Sequence, residues 1–177
     1  METAAIAEVL GGRKVLRKVI KQPDDLARLV RKGLPAGSVT ALAHKLQVGN
    51  SVLSRKLGIP LRTLTRRLSQ QSLLTSAESD RTVRMARVYA NAVEMIGDKA
   101  KAIEWLRTPN RALGGEKPLD HLDTDVGAQM VEDILIKSEI SRLGITVTDQ
   151  EIRDIVQGAN PPDFLTSQFR DSTGTFR

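Results

Sequence analysis

Apolar residues recur at three- and four-residue spacing along most of the chain, and short glycine, proline or Ser/Thr punctuation separates the runs. Thr3 to Leu10 predicts a short helix ended by Gly11-Gly12. Pro23 sits where a first helical turn has no use for its missing N–H, and Leu26, Leu29 and Val30 give the next helix an inner face up to Gly33. A third segment, from about Ala36 to Gln47, turns Val39, Leu42, Ala43 and Leu46 inward. Asn50 starts a fourth that stops at Gly58, and Pro60 to about Ser69 makes a fifth. Thr75-Ser76-Ala77-Glu78 is a capping box for a long helix to Ile96, and Lys99 to Arg107 gives another. After a turn-rich stretch from Thr108 to Pro118, Thr124 caps a helix through Val126, Met130, Val131, Ile134 and Leu135. A further capping box, Thr148 with Glu151, opens a short helix before an irregular tail. The one strand-like piece is Gly144 to Val147. The fold class expected is therefore all-α.

Composition narrows the function classes. Aromatic residues make up only 3%, which suits a Leu/Ile/Val/Ala core of packed helices. The chain has no cysteine, so disulfides, thiolate metal sites and cysteine nucleophiles are excluded. No apolar run approaches the ~18 residues of a membrane span, and Glu2 and Glu8 leave no basic leader, so a cytoplasmic location is expected. His44 and His121 stand far apart without a metal-ligand neighbourhood, and no nucleophile elbow or phosphate loop organises the Ser, His, Asp or Gly residues. No catalytic residue, cofactor or metal is expected.

Charge is unevenly spread. Residues 11–87 hold 17 Lys/Arg against 4 Asp/Glu, a net +13, whereas residues 88–177 are net −5. A basic first half points to nucleic acid, and the acidic second half to a separate interaction surface. The cluster Arg13, Lys14, Arg17, Lys18, Lys21 reads either as an arm along a phosphate backbone or as a mobile solvated segment.

Asn50 to Leu68 has the layout of a helix-turn-helix. Ser54 is small enough for a close helix crossing, Gly58 makes the turn, Ile59 plugs it, and Leu61, Leu64 and Leu68 anchor the second helix. Arg62, Thr63, Thr65, Arg66 and Arg67 are left to meet base edges in a major groove, with Arg55, Lys56 and Lys45 placed for phosphates. A helical hairpin with a solvated basic face has the same spacing, so the DNA reading leans on the density of arginine.

The most specific string lies downstream: Trp105-Leu106, Pro109-Asn110, Leu113-Gly114-Gly115, Pro118-Leu119 and Gly127-Ala128. By itself it describes helix–turn–helix connections that serve packing. It also resembles the C-terminal domain of the Xre/MbcA/ParS antitoxins. Upstream, Gly58-Ile59, Arg62-Thr63-Leu64, Glu78 to Arg81 and Ala86-Arg87-Val88 are similar to the same family, so that the resemblance covers roughly residues 24–135. It implies a homodimeric antitoxin that binds and blocks a RES-domain, NAD-consuming toxin encoded by the adjacent gene and represses its own operon by binding operator DNA. Beyond Leu135 the pattern departs. Ile136-Lys137-Ser138-Glu139-Ile140 stands where the family has an Arg-Ile-Glu stretch, with Glu139 at the acidic position. Leu143 to Ile152 resembles a SurA/parvulin-type chaperone segment, without an isomerase domain after it. The domains expected are a flexible basic segment (1–22), a helix-turn-helix domain (23–74), a helical antitoxin domain (75–142) and an atypical tail (143–177). A stand-alone helix-turn-helix regulator without a toxin and a protein-interaction module remain open as alternatives.

Overall fold

A computed structural model describes residues 2–144. Within them lie helices α1 (Glu2–Val9), α2 (Gly12–Leu16), α3 (Pro23–Lys32), α4 (Gly37–Lys45), α5 (Asn50–Lys56), α6 (Leu61–Ser69), α7 (Ser76–Ile96), α8 (Lys99–Arg107) and α9 (Asp125–Arg142). Two 310 turns, Arg111–Leu113 and Pro118–His121, connect the last pair. The described residues contain no named strand, only isolated bridges between Pro35 and Leu73 and between Asn110 and Glu116. The strand-like piece after Gly144, the Thr148/Glu151 box and the tail lie outside the described residues.

The helix ends fall where the sequence supplies caps. The Thr75 hydroxyl accepts from the Glu78 N–H at 3.2 Å, and the Glu78 carboxylate accepts from the Thr75 N–H at 2.7 Å. Asp98 accepts from the Lys101 N–H, and Thr124 Oγ1 from the Gly127 N–H. Such side chains replace water at the otherwise orphaned N–H groups, each contributing about 1 kcal/mol. The hinge before α4 needs a glycine: Gly33 has φ +101°, and a Cβ there would meet the Leu74 carbonyl at 2.3 Å.

The residues up to Glu139 form one compact unit. Its centre is α7, which packs on α1, α3, α4 and α8. Met85, Ala86, Val88 and Ala92 of α7 are fully buried, and Leu42, Leu53, Leu57 and Leu64 complete the helix-turn-helix side of the same core. Because α7 serves both halves, the expected boundary at residue 75 separates no independent bodies.

The helix expected over Thr3 to Leu10 is present as α1, but the first 22 residues are not the flexible segment expected. They form α1 and α2, with Ile6, Val9, Leu10, Leu16 and Ile20 buried in the core. The expected flexible arm is thus a docked helical layer. The physical reason is apolar area: these five side chains come from both sides of the Gly11-Gly12 break and find a common floor on α3, α4 and α7.

Candidate functional site

α5 and α6 meet as the spacing demands. Ser54 is buried at their contact, Gly58 adopts φ +65° in the turn, and the Ile59 N–H returns to the Ser54 carbonyl at 2.8 Å. The turn is also held from outside, where Arg81 of α7 donates from Nε to the Leu57 carbonyl at 2.8 Å. Nothing in the local sequence of the turn shows this brace. Its partner lies 24 residues away.

The structure divides the six residues expected to meet DNA. Arg62, Thr65 and Arg66 are exposed on one face of α6, and Arg55 is exposed on α5. Thr65 Oγ1 is turned back onto the Leu61 carbonyl, which leaves its methyl as the outward group. Thr63 is half-buried. Arg67 is turned inward: its guanidinium pairs with Glu78, and only 16% of its side chain is exposed. Lys56 is likewise committed, to Asp120 at 2.6 Å, and Lys45 is half-buried. Leu61 is the converse case. Expected as an anchor, it is 47% exposed and belongs to the outer face. Leu64 is the buried anchor, with Leu68 packed against the core beside it.

The Arg67–Glu78 pair has a pH signature. Burial would raise the Glu78 carboxyl, but the Thr75 N–H and the Arg67 guanidinium outweigh it and hold the group below its ordinary 4.5. A lowered carboxylate stabilises the fold above the unfolded-state value and loses that contribution as pH falls through the folded one. The stability gap between wild type and Glu78→Gln, read by denaturant titration, is therefore expected to be constant above about pH 5.5 and to shrink below 4.5. A gap independent of pH down to 3 would contradict it. Arg67→Ala is expected to cost about 1–3 kcal/mol of stability.

The downstream signature splits as well. Leu113, Pro118 and Leu119 are buried, and Trp105 packs partly buried against the core. Asn110 organises the loop. Its side chain accepts from the Ala112 N–H at 2.9 Å, its carbonyl accepts from Gly115, and its N–H donates to the Glu116 carbonyl. Gly114 and Gly115 have φ +67° and +89° with open space where a Cβ would stand, so the left-handed backbone alone favours glycine there. Pro109 is exposed. This loop touches the helix-turn-helix through Asp120–Lys56, and α8 adds Arg107, which donates to the Gln47 carbonyl.

α9 closes the unit. Gly127, Ala128, Val131, Leu135 and Glu139 face inward, and Glu132 of the same helix receives Arg87 and Asn91 of α7. Its outer face carries exposed apolar side chains: Val126 is 72% exposed, and Met130 and Ile136 are also outside. Among the described residues no group of three or more His, Cys, Asp or Glu converges as a metal site, and no helix is long and apolar enough to cross a membrane.

Comparison with known proteins places these parts. Residues 25–87 match the Antitoxin Xre-like helix-turn-helix domain. Residues 91–139 match the Antitoxin Xre/MbcA/ParS C-terminal toxin-binding domain. An Antitoxin Xre of Yersinia enterocolitica is 37% identical over 124 residues, 60% of this chain and 84% of the relative. One of Photorhabdus laumondii is 35% identical over 64% of this chain and 78% of the relative. A Prs ADP-ribosylating antitoxin of Sphingobium sp. is 25% identical over 64% of this chain and 77% of the relative. With a braced helix-turn-helix at residues 50–69 and a toxin-binding domain ending in α9, the chain belongs to the Xre antitoxin family of toxin–antitoxin systems.

Proposed function

We propose that this antitoxin blocks a RES-type, NAD-consuming toxin encoded beside it and, as a homodimer, represses their shared operon. The observation that carries the toxin half is the outer face of α9. Val126, Met130 and Ile136 lie exposed on the helix that closes the matched toxin-binding domain. Uncovered apolar groups on one face mark a protein interface. The NAD-consuming chemistry is supported by the Sphingobium relative, whose name joins an antitoxin to ADP-ribosylation; ADP-ribosyl groups are drawn from NAD. In the DNA half, Arg62 and Arg66 read base edges, Thr65 and Leu61 offer methyls to thymine, and Arg55 meets phosphate. Arg67 and Lys56 serve the fold instead.

Co-expression with the product of the adjacent gene tests the toxin half. The wild-type chain is expected to co-purify with it and to restore growth. Met130→Asp with Ile136→Asp, both on exposed positions, is expected to weaken capture by at least tenfold, as roughly 2 kcal/mol of apolar burial is replaced by buried charge. Operator binding by the same variant should stay within twofold of wild type. Undiminished capture would remove α9 from the interface.

A further inference from the structure

Two of the basic residues before the matched helix-turn-helix domain, Lys14 and Arg17, sit on the N-terminal helical layer beside the far end of α6. Arg17, at the end of α2, donates from Nη2 to Gln71 Oε1 at 2.9 Å, and Gln71 lies two residues beyond the last turn of α6. Lys14 and Arg17 line one open concavity of about 260 Å3 together with Gly37, Leu68 and Gln71. Both cations are exposed, and no carboxylate pairs with either among the described residues. Lys18, by contrast, is committed to Asp25 at 2.9 Å. The layer beneath them is anchored by buried Leu16 and Ile20, so the backbone that carries both charges is fixed, and Gln71 orients the Arg17 guanidinium.

We infer that Lys14 and Arg17 form a phosphate-binding ledge that grips the DNA backbone at the edge of the groove entered by α6. The inference rests on the DNA-binding reading of α6 and extends the footprint beyond residues 25–87. The position decides the chemistry. Leu68 lies on the flank of α6, away from the face of Arg62 and Arg66, so the ledge meets the wall of the groove and not its floor. The wall is sugar-phosphate. From Arg62 to Ser69, where α6 ends, the helix advances about 10 Å at ~1.5 Å per residue, comparable to a major groove about 12 Å wide. An α6 whose first turns read bases therefore brings its far end to the backbone. Arg17 spends one guanidinium donor on Gln71 and keeps the others for phosphate oxygens. Contacts of this kind carry affinity and register, not sequence preference.

The test is fluorescence anisotropy on a 40-base-pair duplex from the region upstream of the chain's own gene and on a scrambled duplex of equal composition, each from 50 to 300 mM salt. For Lys14→Gln with Arg17→Gln the expected result is binding weakened on the order of tenfold and by the same factor on both duplexes. The log K against log salt slope should become shallower by about 1.8. Lys14→Gln alone, at an exposed side chain, should shift the slope by about half as much, and Arg17→Lys should retain the wild-type slope. Thermal melting confirms that the variants fold. Wild-type binding with unchanged slope and affinity in the double variant overturns the ledge and leaves the α6 reading intact. Failure of the wild type to bind either duplex overturns both.

Discussion

Replacing Arg62 and Arg66 together by alanine is expected to weaken operator binding by roughly 100-fold or more and to flatten discrimination between operator and scrambled DNA. Each arginine reaching a guanine edge is worth about 1–3 kcal/mol of discrimination, and the two sit four residues apart on the exposed face of α6. Neither makes a side-chain bond in the fold that its removal would break among the described contacts, so stability should move by less than about 0.5 kcal/mol. This separates them from Arg67, whose loss acts on the fold through Glu78. A gel-shift series at fixed salt, with a thermal melt of each variant, measures both effects. Binding within threefold of wild type would remove α6 as the reading helix.

Gly127→Ala is expected to be the most damaging of the glycine-to-alanine changes in the toxin-binding domain on steric grounds. A Cβ at that position would stand 2.1 Å from the His121 carbonyl oxygen and 2.9 Å from Thr124 Oγ1. The nearest obstacle is backbone, so no rotamer change relieves the clash. The first turn of α9 must lift, and the burial of Ala128 and Val131 behind it is disturbed. Overpacking against rigid backbone costs about 1–3 kcal/mol, a fall in Tm of roughly 2–12 °C for a chain of this size. Toxin capture should weaken in parallel, because the outer face of α9 moves with its inner one. A melt within 1 °C of wild type would show that α9 tolerates a different register.

How much of this was legible in the sequence follows from the range of the forces involved. Helix ends were legible because caps are local: Thr75 with Glu78, and Thr124 before Gly127, act over three residues. The crossing of α5 and α6 was legible because Ser54, Gly58 and Ile59 are adjacent in sequence and in space. The roles of Arg67 and Lys56 were not, since an exposed arginine and an ion-paired one look alike until Glu78 and Asp120 are placed beside them. Leu61 shares its spacing with Leu64 and Leu68, but it starts the helix, and nearly half of it stays exposed there. The second helix of the N-terminal layer and the docking of that layer were hidden for another reason. Gly11-Gly12 interrupts the apolar spacing, and the basic residues that follow dominate the local composition although Leu16 and Ile20 are buried between them. Family resemblance filled the gap that patterning left at residues 105–128. Packing, hydrogen bonding and exposed surface are interleaved there, with Leu113 and Leu119 inward and Pro109 outward.

Under the proposed function, this antitoxin neutralises an NAD-consuming toxin through its C-terminal domain. Intracellular NAD in cells expressing the adjacent gene's product, with and without this chain, tests it most directly. NAD is expected to collapse with the toxin alone and to stay near the uninduced level when the wild-type chain is present. An equal collapse in both cultures, with the chain expressed and folded, would contradict it.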